Sequence, residues 1–433
     1  MNVKDVFNIF RQDNLVYDPQ SGLDTPIFAE ETKEVFMEKL AQLCYLDLPE
    51  KYRKALPLKL GKLCEYYLYT SKGRKFLMER FGNIETEYEY WRNFLQDIHS
   101  RYHDITIVYI YDDNNSNGTG LYACIFYTME EEYVIAFRGS EMLGNSLHRN
   151  DYDNNFALSY MLETPQQLKT LGFIREYENR LTGDIYITGH SLGGNLALYT
   201  CVAASSLHDR LKGCYAYNAP GFSDDFVVAY AERILEVSSI IYNYQNKYDI
   251  ISSIFNSLGN PIIISSNYSP FEQKASSAMK LFYPHSGFCY KVKDGEFVRE
   301  KSQKKATYCH DVNRFTKRFL QMPISYRRDI CKIILEVLYD PNKKGSVIVK
   351  MVDAITLYCN DKKNGIHLEA ENDLLNVLGT AKYNCSDCTV GDALDQYRAT
   401  MELPSWKRGD KFFGNGLIMR NLLEFLSSQK KVA

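Results

Sequence analysis

Apolar residues recur at helical spacing through the first hundred residues, and this pattern predicts a helical lead-in. Within each patterned segment the apolar positions fall about three or four residues apart, as they do on the buried face of a helix. The segments are Glu30 to Leu46, Leu58 to Phe81 and Tyr88 to Ile98. We therefore expect residues 1–104 to form a helical region that packs on a core formed by later residues.

From Ile105 the pattern changes to short runs of β-branched and aromatic residues, which are typical of strands. The strand runs are Ile105 to Tyr111, Gly120 to Thr128, Tyr133 to Phe137, Asp184 to Thr188, Cys214 to Tyr217 and Ser239 to Tyr244. Helical runs separate the later strands, at Pro165 to Leu181, Leu192 to Leu207 and Ser223 to Leu235. Such alternation implies crossover connections, so we predict an α/β fold with a mainly parallel sheet over residues 105–322.

The pattern is less regular after the last of these strands. Ser252 to Tyr283 is rich in Ser, Asn and Pro and longer than an ordinary connection, which favours a loop at the rim of a binding site. Phe288 to Phe297 is typical of a hairpin, and Cys309 to Leu320 of an amphipathic helix. We predict a helical C-terminal region over residues 323–433. Its helical patterns lie at Ile324 to Tyr339, Ser346 to Cys359, Ala370 to Leu378 and Phe413 to Leu426.

Composition narrows the class of protein. At 433 residues, 45% of them apolar, the chain can bury a large core together with an appendage. The net charge of -3 is spread along the chain without a basic stretch long enough to bind nucleic acid. Eleven scattered cysteines fit a reducing compartment better than a disulfide framework. The first residues lack a signal-peptide core, and no segment reaches the roughly 18 apolar residues of a membrane span, so we expect a cytoplasmic protein.

Cys385 and Cys388 have the spacing of a metal knuckle, but no second pair follows them. Cys359 and His367 are only loosely placed as further ligands. We expect two ordinary thiols in a turn, and we expect neither a metal nor a cofactor. The sequence identifies no protein partner.

Ser191 lies in Gly189-His190-Ser191-Leu192-Gly193, where an apolar strand meets a helix. A Gly-x-Ser-x-Gly motif at a strand-to-helix junction indicates a nucleophile elbow, a sharp turn that exposes a serine hydroxyl to a base and to backbone donors. We therefore predict Ser191 as the nucleophile of a hydrolase.

A serine nucleophile needs an imidazole base, and eight histidines are available. His190 is too close along the turn to aim its ring at the neighbouring hydroxyl, and His208 is better explained as a cation at a helix C-terminus. His285 lies in a loop before a strand, whereas His310 falls in the first turn of a helix. We favour His285, with His310 as the alternative.

The base needs a carboxylate that fixes its tautomer. Asp249 directly follows a β run, where the acid of such a site belongs. Asp224 and Asp225 compete with it, but both are accounted for as first-turn residues of a helix. We predict Asp249 as the acid.

The oxyanion hole needs two converging donors. The backbone N–H of Leu192, the residue after the nucleophile, supplies one. Ser140 ends the strand-turn run Tyr133 to Ser140 and fits the second, through its N–H and its hydroxyl.

These motifs together resemble the class 3 lipase branch of the α/β-hydrolases. The branch pairs a Phe-Arg-Gly-Ser/Thr loop, here Phe137 to Ser140, with Gly-His-Ser-Leu-Gly-Gly, here Gly189 to Gly194. Asn218-Ala-Pro-Gly-Phe222 and His285-Ser286 resemble in particular the Mbeg-type family of bacterial lipase-like proteins. The resemblance covers roughly residues 25–320 and implies Ser191, Asp249 and His285 as the triad.

The chain departs from class 3 lipases beyond the oxyanion serine. Those lipases carry Asn-Trp or Asp-Trp there, whereas here Ser146 follows Asn145. The stretch Glu141 to Asn150, where fungal members place an amphipathic lid, is short and mostly polar, which argues against action on fat droplets. Nearby, we expect Arg138 to form an ion pair with Asp151 and Asp153.

The leading hypothesis is a serine hydrolase that cleaves a small-molecule or lipid-like acyl ester through an acyl-Ser191 intermediate. Two alternatives stay open: a non-catalytic binding or scaffold protein that uses the helical flanks, and an acyltransferase with the same triad.

Overall fold

The structure, a computed structural model, describes residues 30–81, 85–114, 118–140, 142–143, 146–147, 149–268, 283–321 and 323–339. The helices predicted at Ser346 to Cys359, Ala370 to Leu378 and Phe413 to Leu426 lie outside the described residues, as do Cys385, Cys388 and His367. Parts of the polar stretch Glu141 to Asn150 lie outside them as well.

A sheet of eight strands forms the centre of the described residues, in the order β1-β2-β3-β4-β7-β8-β9-β10. The strands are β1 Leu58–Lys59, β2 Thr106–Asp112, β3 Tyr122–Tyr127, β4 Tyr133–Phe137, β7 Ile185–His190, β8 Leu211–Tyr217, β9 Ile241–Asn246 and β10 Pro261–Ile264. Two small hairpins lie outside it: β5 Met142–Leu143 with β6 Ser146–Leu147, and β11 Val292–Lys293 with β12 Glu296–Phe297.

Helices precede, separate and follow the strands. In the described residues they are Lys33–Leu43, Glu50–Arg53, Leu60–Tyr69, Ser71–Phe81, Glu85–Tyr102, Arg149–Ala157, Pro165–Tyr177, Leu192–Ala203, Asp224–Ala229, Ala231–Val237, Thr307–Leu320 and Ile324–Tyr339. The strands from β4 through β7, β8 and β9 to β10 pair in parallel, and β1 to β4 pair antiparallel. The predicted α/β fold with a mainly parallel sheet is confirmed.

The sheet buries both of its faces. On β3, Tyr122, Cys124 and Phe126 point to one face and pack with the helices of the lead-in. Ala123 and Ile125 point to the other face and pack with the later helices. Because side chains alternate along a strand, the same five residues serve two cores. The helical lead-in therefore covers much of one face of the sheet, and residues at the β11-β12 hairpin pack on the same face.

Two details of the lead-in differ from the sequence pattern. The run Leu58 to Phe81 is not one helix: it begins with the edge strand β1 and breaks again at Thr70. Thr70 is extended, with φ of -93° and ψ of 148°, and its hydroxyl accepts the N–H of Gly73 at 3.0 Å. A Cβ at Gly73 would lie 2.1 Å from the carbonyl oxygen of Tyr66, so the glycine lets the two helices meet closely.

The predicted loop Ser252 to Tyr283 contains a strand that the pattern did not reveal. β10 pairs in parallel with β9 at the edge of the sheet and begins with Pro261, which an edge position tolerates. A run of four residues is too short to show a strand periodicity. Residues 269–282 of this segment lie outside the described residues.

Candidate active site

Ser191 stands at a strained turn between β7 and the helix Leu192–Ala203. Its φ of 59° and ψ of -130° are unusual for a residue with a side chain. A Cβ at Gly189 would lie 2.2 Å from the carbonyl oxygen of Gly193, and one at Gly193 would lie 2.2 Å from that of Phe137. Both glycines of the motif are thus required by the close approach of backbone on either side of the serine.

The structure brings Ser191, His285 and Asp249 into one hydrogen-bonded path. Ser191 Oγ lies 2.8 Å from His285 Nε2, and His285 Nδ1 lies 3.1 Å from Asp249 Oδ1. Asp249 follows β9 and is fully buried, whereas His285 ends a short 3-10 turn and stays partly exposed. The residues meet because the parallel strands β7 and β9 end at the same edge of the sheet.

The Asp249 carboxylate accepts hydrogen bonds at both oxygens. The N–H of Ile251 donates to Oδ1 at 3.0 Å, and the N–H and hydroxyl of Ser252 donate to Oδ2 at 2.9 and 2.5 Å. Burial alone would raise the pKa of Asp249, but His285, the charge of Lys305 and the hydroxyl of Ser252 stabilise the carboxylate and hold the pKa below its ordinary range. Asp249 is therefore ionised at neutral pH and fixes the proton of His285 on Nδ1.

His190 holds the backbone of His285 in place. Its Nε2 lies 2.7 Å from the carbonyl oxygen of His285, and its Nδ1 lies 3.0 Å from the hydroxyl of Tyr45. Asn218 Nδ2 donates to the same carbonyl at 2.9 Å. Burial, together with the nearby His285, lowers the pKa of His190 to about 3, so the ring is neutral. It then donates from Nε2 and accepts the Tyr45 hydroxyl at Nδ1.

This buried histidine predicts a specific dependence of stability on pH. The pKa of His190 is depressed in the folded chain, so only the unfolded chain takes up its proton as the pH falls below about 6.5. The stability present above that pH is therefore lost on acidification. We expect the unfolding free energy of the wild type, relative to that of His190→Gln, to fall by about 2 kcal/mol between pH 7 and pH 5.

Urea unfolding of both proteins at the two pH values measures this difference. Glutamine keeps a donor for the carbonyl of His285 but does not titrate. His103→Gln, at an exposed histidine, is the matched control and should follow the wild type. Equal pH dependence in wild type and His190→Gln would contradict the neutral buried ring.

Leu192 directly follows Ser191, and Ser140 belongs to the loop that ends β4. A Cβ at Gly139 would lie 3.0 Å from Cβ of Ser191, so the loop that ends β4 touches the elbow. Asn155 Nδ2 donates to Ser140 Oγ at 2.6 Å, which leaves the serine proton free to donate elsewhere. Leu192 is the first residue of its helix, where backbone N–H groups lack intrahelical partners.

The alternatives that the sequence left open lie elsewhere. His310 lies on the helix Thr307–Leu320 and lines a cavity with Lys305. Asp224 accepts the side-chain amide of Asn256, and Asp225 pairs with Arg327. The structure thus connects His285 and Asp249, and none of these competitors, to Ser191.

Arg138 has an ionic partner that the sequence analysis did not predict. Its guanidinium pairs with Asp47 at 2.9 Å and lies over the ring of Tyr122. Asp151 is buried with a pKa raised to about 7 by burial, although the charge of Arg138 opposes the rise. Asp153 accepts the hydroxyl of Tyr339. Sequence reasoning missed Asp47, which is distant along the chain.

A family model described as Mbeg1-like matches residues 97–330, more than half of the chain. The chain belongs to the Mbeg1-like family. The resemblance to the Mbeg-type family, predicted from Asn218 to Phe222 and from His285-Ser286, is confirmed. No curated protein sequence matches this Mbeg1-like chain.

Several solved fungal lipases are similar to this Mbeg1-like chain. The Rhizomucor miehei lipase in its propeptide complex is 17% identical with a TM-score of 0.29, and the match covers 51% of this chain and 79% of the lipase. The Lip2 lipase of Yarrowia lipolytica is 15% identical with a TM-score of 0.27, and the match covers 37% of this chain and 65% of the lipase. A triacylglycerol lipase of Penicillium expansum is 16% identical with a TM-score of 0.28, and the match covers 46% of this chain and 75% of the lipase.

In the described part of the chain, no group of three or more His, Cys, Asp or Glu side chains is arranged to hold a metal ion. No helix there is both long and apolar enough to span a bilayer.

Proposed function

We propose that this chain is a serine hydrolase that cleaves a carboxylic ester through an acyl-Ser191 intermediate. The observation that carries the proposal is the unbroken path from Ser191 Oγ through His285 to Asp249, with contacts of 2.8 and 3.1 Å. A disused site has no physical reason to keep a strained turn, a base and a buried carboxylate in register.

In the proposed reaction, His285 Nε2 takes the proton of Ser191 as Oγ attacks the ester carbonyl carbon. The carbonyl electrons move to oxygen, and the N–H of Leu192 with the N–H and hydroxyl of Ser140 donate to that oxyanion. Collapse breaks the bond to the alcohol oxygen, which receives the proton from His285. Water then repeats the sequence on the acyl-serine, and Asp249 stabilises each imidazolium.

An apolar cluster beside the elbow supports an acyl substrate. Leu192 packs there with Leu158, Phe255 and Leu320, and Ile254 lies against them. Because Leu192 directly follows Ser191, an acyl group on the serine would lie next to this cluster. A charged group of the substrate at that point would lose its hydration, because the apolar side chains of the cluster offer it no hydrogen bond or opposite charge.

A burst experiment tests the proposal. A nitrophenyl ester mixed with micromolar protein should release one nitrophenolate per chain rapidly and then more slowly, because nitrophenolate is a good leaving group and the acyl-serine forms faster than water hydrolyses it. Intact-protein mass spectra should show the acyl mass on a peptide that contains Ser191. A panel of short and long esters that gives neither a burst nor turnover would overturn the proposal.

The oxyanion assignment predicts a smaller, separate loss. Ser140→Ala keeps the backbone N–H but removes the hydroxyl, and we expect kcat to fall by about 10²-fold. Asn155→Ala leaves the hydroxyl but removes the amide that orients it, so its loss of kcat should be the smaller of the two. Steady-state ester kinetics measure both, and a wild-type kcat in Ser140→Ala would remove that hydroxyl from the mechanism.

We also propose a reducing, cytoplasmic location. The eight cysteines of the described residues are all free and buried, which supports it.

A further inference from the structure

A polar cavity of about 320 Å³ lies beside the loop that carries Asp249. One wall is the helix Thr307–Leu320 with the residues just before it, and the other is the segment between β9 and β10. The cavity is large enough for a small metabolite. Its chemistry differs from that of the apolar cluster beside Ser191.

The cavity is lined by cationic and neutral polar side chains. Lys305, His310 and Lys317 supply the basic groups, and amides and hydroxyls supply most of the rest. No carboxylate is among the described residues that line it. The nearest acids serve other partners: Asp249 lies behind Ser252, and Asp224 is bonded to Asn256 at the rim.

Lys305 connects the cavity to the hydrogen bonds of the triad. Its ammonium donates to Ser252 Oγ at 2.8 Å and to Gln245 Oε1 at 3.3 Å. Ser252 in turn donates its hydroxyl proton to Asp249. Gln245 and Ser252 accept from the half-buried ammonium of Lys305, which has three donors, and the charge of Asp249 acts on it as well.

We propose that this cavity binds the phosphate group of a small phosphorylated metabolite, held by Lys305, His310 and Lys317. Two ammonium groups and the imidazole N–H of His310, which line the same cavity, match the charge and the several acceptor oxygens of a phosphate monoester. The surroundings are already electropositive: burial, and then the charges of Lys305, Arg314 and Lys304, lower the pKa of His310. A bound anion would relieve that repulsion.

Calorimetric titration of the full chain with inorganic phosphate and with glycerol phosphate, at matched ionic strength, tests the site. We expect saturable binding by the wild type. Lys317→Gln and His310→Gln should each weaken it about tenfold, because each removes one charge-assisted contact. Lys305→Met should weaken phosphate binding further. Because that variant alters a half-buried residue bonded to Ser252, Lys317→Gln and His310→Gln carry the test if it does not fold.

Lys301→Gln is the matched control, since it removes the same charge from an exposed position of the same segment outside the cavity. It should bind phosphate as the wild type does. Absent binding, or an equal loss in Lys301→Gln and in the cavity variants, would overturn the proposal. Ser191→Ala should bind phosphate normally, so this test does not depend on whether the hydrolase proposal is right.

Discussion

Replacement of Ser191 by Ala is expected to lower kcat/KM for an ester about 10⁶-fold, to the level that substrate binding and the oxyanion donors sustain alone. In the proposed mechanism the hydroxyl oxygen bonds to the acyl carbon, so the variant would have no acyl-enzyme route. The change removes one oxygen from a nearly buried site and leaves the elbow glycines in place. Folding should therefore be preserved.

Initial rates on a nitrophenyl ester measure the effect, with circular dichroism and urea unfolding as checks of the fold. Ser206→Ala, at an exposed turn after the same helix, is the matched control and should keep the wild-type rate. If Ser191→Ala retained ester turnover close to that of the wild type, the nucleophile would lie elsewhere.

Replacement of Asp249 by Asn is the second large effect, and we expect kcat to fall by about 10⁴-fold. Both carboxylate oxygens accept donors: Ile251 and His285 at Oδ1, and Ser252 at Oδ2. In either orientation of the variant's side-chain amide, its NH₂ group faces hydrogen-bond donors, because donors lie at both positions. Where it faces His285, the ring proton moves to Nε2, and the ring can no longer accept the proton of Ser191.

Asp224→Asn is the matched control because it makes the same change at an exposed carboxylate that competed with Asp249 in the sequence. It should keep the wild-type kcat. Comparable losses of kcat in the two variants, or no loss in Asp249→Asn, would contradict the assignment of the acid.

The elements that present the candidate site were predictable because their signals are local. An apolar strand, a glycine-bounded serine and a helix are contiguous, so the elbow at Ser191 is visible in a single stretch of sequence. Asp249 is farther away but follows from a simple rule, because parallel strands direct the loops after them to one edge of the sheet. His285 was reached by comparing the eight histidines, as a loop residue before a predicted strand. Helix and strand periodicity likewise revealed most of the core.

What could not be predicted depends on contacts between distant segments. Tyr45 bonds to His190, and both His190 and Asn218 bond to the backbone carbonyl of His285. Asn155 orients Ser140. No periodicity in the sequence relates these residues. The same holds for the Asp47 partner of Arg138. Both helical flanks were the argument for a binding or scaffold role, and in the N-terminal flank burial against one face of the sheet gives the described residues a structural role.

Labelling by a fluorophosphonate probe tests whether Ser191 is a nucleophile, because the probe phosphonylates a serine that its base has activated. We expect stoichiometric labelling of the wild type on a peptide that contains Ser191. We expect no labelling of Ser191→Ala. A folded wild type that resists the probe, or equal labelling of Ser191→Ala, would contradict this expectation.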